Sequence, residues 1–353
     1  MTGGGAERVG VVLANGFARN GHDVSIVTDI YQEATYDVDN NIKILPLNPN
    51  TKYSFSKWIG ALFLMWNHVR REKPDVVIGI MQLCSLVSRL ACFGTGIPVI
   101  MTEHDAYERI PSEHLTKMEV FSKYYLDKIY HCITILTEAD RKVIDNHLKN
   151  VVVMPNPLPF ESVKEVPIKG QYIFAVGRVS DWHCKGFDLL IEAWGKIASK
   201  YPEWSLKIAG DGSKEDFIFL KDKAIENSVV EKTEFLGYRT DMLHLYQPAA
   251  IYVLSSRSEG FSMSLIEAMS QGCACVATDF KGRMKEIITT DSEGILCNPE
   301  DADALALGME KLIVDDDYRV KLQQNAINRS EYFSLDHIIG MWENLLSKIV
   351  QNN

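Results

Sequence analysis

The sequence predicts an α/β protein of two doubly wound domains, each a parallel sheet with helices on both faces. Three observations carry that expectation. Short apolar, β-branched runs alternate with longer segments of helical spacing along the whole chain. Twelve such runs are more than one strongly twisted sheet usually accommodates, so they read as two sets of six. A length of 353 residues leaves room for two hydrophobic cores.

In chain order, the first set is Asp23–Thr28, Ile42–Leu47, Val76–Ile80, Pro98–Thr102, Cys132–Leu136 and Val151–Met154. The second is Tyr172–Val176, Ser205–Ala209, Thr233–Leu236, Ile251–Leu254, Ala274–Thr278 and Gly294–Leu296. Between the sets, Pro155-Asn156-Pro157-Leu158-Pro159 breaks helix and strand alike, and no periodicity returns before Gly170. The expected domains are therefore 1–155 and 171–333, joined by a linker over 156–170 and followed by a last helical pattern over 334–353.

The opening departs from this plan. Gly3-Gly4-Gly5 leads at once into an amphipathic pattern over Val9–Asn20, whereas a glycine turn feeding a helix ordinarily follows a strand. The expectation is a first domain lacking its central first strand, with the native start upstream by roughly ten residues. The alternative is a domain that closes without that strand.

Composition narrows the function classes. Hydrophobic residues are 46% and charged residues 24%, a globular mixture that excludes collagen, disorder and low complexity. No run reaches about 18 uncharged apolar residues, and no secretory leader pattern is visible. Seven cysteines, odd in number and mostly within apolar runs, suit reduced thiols in the cytoplasm. The net charge of −10 argues against nucleic-acid binding. It is unevenly shared: residues 1–155 carry 16 Lys+Arg against 17 Asp+Glu, the rest 21 against 30. The near-neutral first half is the side better suited to an anionic surface.

The chemistry concentrates in Ile251–Phe280. A strand runs into Ser255-Ser256-Arg257-Ser258-Glu259-Gly260-Phe261-Ser262, and a helix follows over Met263–Gln271. Glu259 thus lies at the carboxyl end of a parallel strand, where open α/β sheets bind ligands. The helix amino terminus near Ser262–Ser264 offers free N–H groups to an anion. Glu259 and Glu267, eight residues apart, flank it with hydroxyl acceptors. Phosphates together with hydroxyls describe a nucleotide sugar. The plainer alternative makes Glu259 a cap and Glu267 an ordinary helix position.

The string S-S-R-S-E-G-F-S-M-S-L-I-E-A-M-S-Q-G-C-A-C-V-A-T-D resembles the E-x7-E region of family-4 retaining glycosyltransferases, which have the GT-B fold, two Rossmann-like domains facing across a cleft. The resemblance implies that Glu259 binds donor-sugar hydroxyls and Glu267 the ribose. It also implies that backbone N–H groups of Phe261, Ser262 and Met263 meet sugar and phosphate oxygens. Gly177-Arg178, before Lys185-Gly186, is similar to the family's G-R…K-G element, with Arg178 and Lys185 on the leaving diphosphate. The alternative there is two surface cations paired with Asp181 or Asp188. Phe235-Leu236-Gly237 resembles an F-L-G segment whose following residues, Tyr238 and Arg239, would hold the base. Ala209-Gly210-Asp211-Gly212 is similar to an A-G-x-G turn and reads as structural. Glu103-His104-Asp105 resembles the E-H-[DN] element, making His104 the candidate beside the reacting sugar. Gly3-Gly4-Gly5 resembles the G-G-A-E-R opening, whose glycines (Gly4 and Gly5 here) approach the diphosphate. Ser262 and Lys281-Gly282-Arg283-Met284 depart from the commoner family pattern, which bears on the sugar rather than the fold.

The resemblance implies a retaining glycosyltransferase, and with no D-x-D near a sheet edge and no His/Cys ligand spacing neither a metal requirement nor a resident cofactor is expected. Its donor would be a UDP-sugar, its acceptor a glycan or lipid-linked glycan of bacterial polysaccharide or lipopolysaccharide synthesis. It would act in the cytoplasm or at the inner membrane face, with the last helix returning to the first domain. The alternative is a catalytically silent nucleotide-sugar-binding module or partner subunit. A nicotinamide oxidoreductase lacks its G-x-G-x-x-G, and a serine hydrolase its G-x-S-x-G. Asp315-Asp316-Asp317 reads as a helix cap rather than a metal site, and Cys273-x-Cys275 as core. Trp58, Ile59, Leu62, Phe63, Met65, Trp66 and Val69, followed by Arg70, Arg71 and Lys73, read as a core helix with an interfacial membrane helix as the alternative. Weak membrane-surface contact is expected of His114–His131, where lysines and aromatics interleave.

Overall fold

The computed structural model describes residues 5–28, 36–47, 54–107, 125, 127–144 and 148–351. Each of the twelve runs forms a strand. Those of the first set are β1 (Ser25–Thr28), β2 (Lys43–Pro46), β3 (Val77–Ile80), β4 (Val99–Thr102), β5 (Cys132–Ile135) and β6 (Val151–Val153). Those of the second are β7 (Gly170–Val176), β8 (Ser205–Ala209), β9 (Thr233–Gly237), β10 (Ala249–Leu254), β11 (Ala274–Thr278) and β12 (Ile295–Cys297). Every described pairing is parallel. The helices between them are α1 (Gly5–Arg19), α2 (Ser54–Glu72), α3 (Met81–Ala91), α4 (Glu138–Ile144), α5 (Trp182–Lys185) and α6 (Phe187–Ile197). They continue as α7 (Lys214–Glu226), α8 (Met242–Tyr246), α9 (Met263–Ser270), α10 (Ala302–Val314), α11 (Asp316–Ser330) and α12 (Leu335–Gln351).

The chain divides into two compact units, Met1–Pro159 with Leu335–Asn353, and Phe160–Ser334. In the second, the strand order is β12-β11-β10-β7-β8-β9. β10 and β11 are buried throughout because helices cover both faces, which is why they read as unbroken apolar runs rather than alternating ones. Ile251, Val253, Val276, Leu190 and Trp194 belong to one core cluster.

In the first unit the strands form two ladders, β1-β2 and β3-β4-β5-β6, with no pairing between them among the described residues. Helix α12 packs on α1 of this unit through buried Ile338, Ile339 and Trp342. Gly16 makes the approach possible, since a Cβ there would stand 2.7 Å from the Ile339 side chain. Trp342 also meets Phe17 edge to face at 6.3 Å. Residues Pro155–Leu158, read from the sequence as a breaker opening the linker, are buried.

One expectation changes in detail. The α2 pattern is not one face but two: Met65 and Val69 enter the core, while Ile59, Phe63 and Trp66 stay exposed. Trp66 stacks with Phe63, and Arg70 lies 4.4 Å over the Trp66 ring. The side chain of Trp58 lies outside the described residues, as does most of His114–His131. Asp315 caps α11 by accepting from the Tyr318 N–H at 2.8 Å. Cys273 and Cys275 are fully buried. No helix among the described residues is long and apolar enough to cross a membrane.

Candidate active site

The carboxyl ends of β7, β8 and β9 are laced together by their following turns. Gly177 N–H donates to the Ala209 carbonyl at 3.1 Å, Val179 N–H to Asp211 at 2.7 Å and Gly210 N–H to Gly237 at 2.9 Å. Gly210 has φ +152°, and a Cβ there would overlap the Gly177 carbonyl oxygen at 1.7 Å. The A-G-D-G turn therefore buttresses the G-R turn.

From β7 the chain passes through Gly177 and Arg178 into α5, which ends in Lys185. Gly186 then turns left-handed at φ +64° and caps α6. A Cβ at Gly186 would stand 2.0 Å from the Ser255 carbonyl oxygen, so only glycine lets this turn approach the loop after β10. That loop carries Glu259. Lys185 Nζ donates to Glu259 Oε1 at 2.7 Å, and Ser256 Oγ donates to the same oxygen at 2.8 Å. Both side chains are largely buried, at 21% and 13% exposed. Burial alone would lower the Lys185 ammonium, but the charge and hydrogen bond of Glu259 outweigh it and hold the group above its ordinary value. Gly177 leaves space for the lysine stem, because a Cβ there would meet Lys185 Cγ at 3.1 Å.

The loop continues into α9. Ser262 Oγ accepts from the Leu265 N–H at 3.3 Å and caps the helix. Phe261 packs edge to face on Phe333 at 5.6 Å, which seats the turn before the cap. Tyr252 from β10 donates to Ser264 Oγ at 2.7 Å. Glu267 is buried in the second turn of α9. The loop after β10 thus brings Glu259, paired with Lys185 from the end of α5, near a helix amino terminus, a combination suited to a ligand carrying both hydroxyls and phosphate.

The other expected residues lie differently. Arg178 is 76% exposed and stands 3.6 Å from Asp181, so it is a solvent-facing cation rather than half of a formed clamp. Lys185 is not a surface cation, and Asp188 pairs with neither Lys185 nor Arg178; its partner is Arg257. Tyr238 is exposed, and Arg239 is held by Asp241 at the end of β9. Gly5 opens α1 with open space around it, while Gly4 lies outside the described residues.

In the first unit, His104 follows β4. Its Nε2 lies 3.0 Å from Thr102 Oγ1, which itself lies 3.1 Å from the Gly79 carbonyl. Spending the one Thr102 proton on Gly79 makes Nε2 the donor and leaves Nδ1 an acceptor. Nδ1 is buried and has no partner among the described residues. Burial pushes the imidazole down to about 4, against support from Asn156 and Asp105, so it is neutral at neutral pH.

Sequence reading missed Asn156, hidden by its reading as part of a proline breaker, and Arg257, quoted only as part of a string. The signal for Arg257 was a charged residue in an otherwise buried strand-end loop.

The chain is similar to known glycosyltransferases in sequence and in fold. The family described as "Glycosyltransferase Family 4" matches residues 3–161, and "Glycosyl transferases group 1" matches residues 160–329. The chain is 28% identical to an "uncharacterized glycosyltransferase" of Haemophilus influenzae over 349 residues, covering 97% of this chain and 96% of the relative. It is 25% identical over 360 residues to a Campylobacter jejuni GalNAc-alpha-(1->4)-GalNAc-alpha-(1->3)-diNAcBac-PP-undecaprenol alpha-1,4-N-acetyl-D-galactosaminyltransferase, covering 99% of this chain and 96% of the relative. The crystal structure of Anabaena Alr3699/HepE in complex with UDP and glucose superposes with a TM-score of 0.77 at 18% identity, covering 98% of this chain and 96% of that one. These matches, over two sets of parallel strands, make the chain a member of glycosyltransferase family 4, with the GT-B fold.

Proposed function

We propose that this glycosyltransferase moves a sugar from a nucleotide-sugar donor, a UDP-sugar, to a hydroxyl of a glycan or lipid-linked glycan in bacterial polysaccharide or lipopolysaccharide synthesis. The observation that carries the reading is the Lys185–Glu259 pair beside the α9 amino terminus. Glu259 accepts hydroxyls of the donor sugar, and Glu267 those of the ribose. Lys185 and the exposed Arg178 face the diphosphate. The bond between the anomeric carbon and the diphosphate oxygen breaks, and the acceptor oxygen bonds to that carbon on the same face. The acceptor proton passes to the leaving diphosphate, so configuration is retained without a protein nucleophile. The protein positions the partners and stabilises the charge that grows on the diphosphate. Phe261, Ser262 and Met263 supply N–H groups, Gly4, Gly5 and Gly177 give backbone access, and Tyr238 and Arg239 hold the base. His104, neutral with an acceptor Nδ1, takes a hydroxyl of the reacting sugar.

The Campylobacter relative, named for an undecaprenol-diphosphate-linked substrate, supports a lipid-linked acceptor. The UDP bound by the Anabaena structure supports a uridine donor. Such an acceptor suits work at the inner face of the membrane. Exposed Ile59, Phe63 and Trp66 ahead of Arg70 and Arg71 support weak contact with that surface. No metal ion takes part in this reading.

The test is nucleoside-diphosphate release from a panel of UDP-, GDP- and ADP-sugars, with and without lipid-linked acceptor, in EDTA, with the product anomer read by NMR. Release from a UDP-sugar, stimulated by acceptor and retaining, is the expected result. Tight donor binding without release would instead favour a silent binding module. Co-sedimentation with anionic but not zwitterionic liposomes checks the membrane contact.

A further inference from the structure

We propose that Arg257 is the positioning residue that sets the Lys185–Glu259 pair. The inference rests on the reading that this pair handles the donor. Lys185 and Glu259 come from chain segments 74 residues apart, yet meet at 2.7 Å. A lysine ammonium is a point charge on a flexible stem and cannot hold such geometry by itself. Arg257, two residues before Glu259, supplies the rigid connection.

Its guanidinium is 10% exposed and grips Asp188 in bidentate fashion, Nη1 to Oδ1 at 2.8 Å and Nη2 to Oδ2 at 2.9 Å. Nη1 also donates to the His183 carbonyl at 2.6 Å. The Arg257 backbone N–H donates to the Cys184 carbonyl at 2.7 Å. Ser255 Oγ donates to the Lys185 carbonyl at 2.9 Å. One arginine therefore holds residues on both sides of Lys185, at 183–184 and at 188, while belonging to the loop that presents Glu259. Glu300, 3.9 Å from Nε and exposed, adds little. The planar fork matches a carboxylate in two directions at once, which lysine cannot reproduce. Arg257 and Asp188 act through the pair, not on the substrate.

The test uses the full chain and whichever nucleoside diphosphate of UDP, GDP, ADP and CDP it binds most tightly. Binding is measured for wild type, Arg257→Lys, Asp188→Asn, Lys185→Ala and the Arg257→Lys/Lys185→Ala double variant, each first shown to melt cooperatively. Donor turnover is measured alongside. Arg257→Lys keeps the charge and loses the fork. It is expected to weaken binding and lower kcat together by about 10–100-fold. In the Lys185→Ala background the same change should cost nucleoside-diphosphate binding less than about twofold, because the ammonium it positions is gone. Asp188→Asn should follow Arg257→Lys. Wild-type behaviour of Arg257→Lys, or losses that add fully in the double variant, overturns the proposal. Normal binding and turnover by Lys185→Ala overturns instead the underlying reading of the pair. If Arg257→Lys does not fold, Arg257→Gln and Asp188→Asn carry the same cycle.

Discussion

The two units present their candidate residues in opposite electrostatic styles. The sheet of the second runs unbroken through six strands, with β10 buried along its whole length. It delivers charged groups that are already matched: Lys185 with Glu259, and Arg257 with Asp188. The first unit has its strands in ladders of two and four, with β1 only half-buried. It delivers a neutral imidazole whose Nδ1 has no hydrogen-bond partner among the described residues. A site that must receive a diphosphate needs cations whose positions are paid for in advance, whereas a site that meets sugar hydroxyls works with neutral acceptors. The contrast also explains the charge bookkeeping of the chain. The more acidic half carries two largely buried cations, Lys185 and Arg257, each matched by a carboxylate, while Arg178 stays in solvent.

The largest expected effect is on the charged side. Lys185→Ala should lower turnover by about 10³-fold, roughly 4 kcal/mol of transition-state stabilisation, while far-UV circular dichroism stays unchanged. Near-normal turnover would break the comparison, since the matched pair would then be structural only. Next comes Gly210→Ala. The added methyl must displace the Gly177 carbonyl at a φ of +152°, so the turn behind the G-R element has to move. Strain and overpacking together should cost about 3 kcal/mol and lower the melting transition by several degrees. Turnover measured well below that transition should fall as well, because the displaced Gly177 lies under the Lys185 stem.

Most of this arrangement was legible before the structure, for physical reasons. Parallel strands buried on both faces must be apolar runs, so β10 and β11 announced themselves, and glycines with no room for a Cβ marked the turns around Gly186 and Gly210. Partner choice was not legible. Asp188 lies three residues from Lys185 and ten from Arg178, yet pairs with an arginine 69 residues away, because the Gly186 turn brings the β10 loop against it. The outward half of the α2 pattern was equally hidden. Spacing identifies apolar residues, but Phe63 and Met65 read alike until packing buries one and leaves the other in solvent. Asn156 was lost to the prolines around it, although its side chain supports His104.

A smaller effect probes the neutral side. The folded-state value of His104 is lowered, from an ordinary 6.5 to about 4. Its contribution to stability is therefore fully present above pH 6.5 and is lost as pH falls toward 4, at up to about 1.4 kcal/mol per pH unit. Urea unfolding of wild type and His104→Gln between pH 7 and 4.5 should show a shallower acid loss in the variant. Parallel slopes would mean that the imidazole is not held neutral. The variant should also retain nucleoside-diphosphate binding, which sets the two units' roles apart.

The smallest expected effect concerns α12. Glu343 Oε1 accepts from Asn20 Nδ2 and lies 3.1 Å from His22 Nε2, tying the helix to the end of α1. The groups are surface-exposed, so the polar tie should be worth under about 1 kcal/mol. The apolar contacts beneath it, Trp342 on Phe17 and Ile339 over Gly16, are the ones expected to hold the helix. Glu343→Ala should leave the melting temperature within a degree or two of wild type and turnover unchanged. A drop of more than about 5 °C would show that the surface tie, rather than the buried stripe, keeps α12 on the first unit. That outcome would make α12 a detachable element whose hold weakens at high salt. The expected result makes it part of the core of that unit.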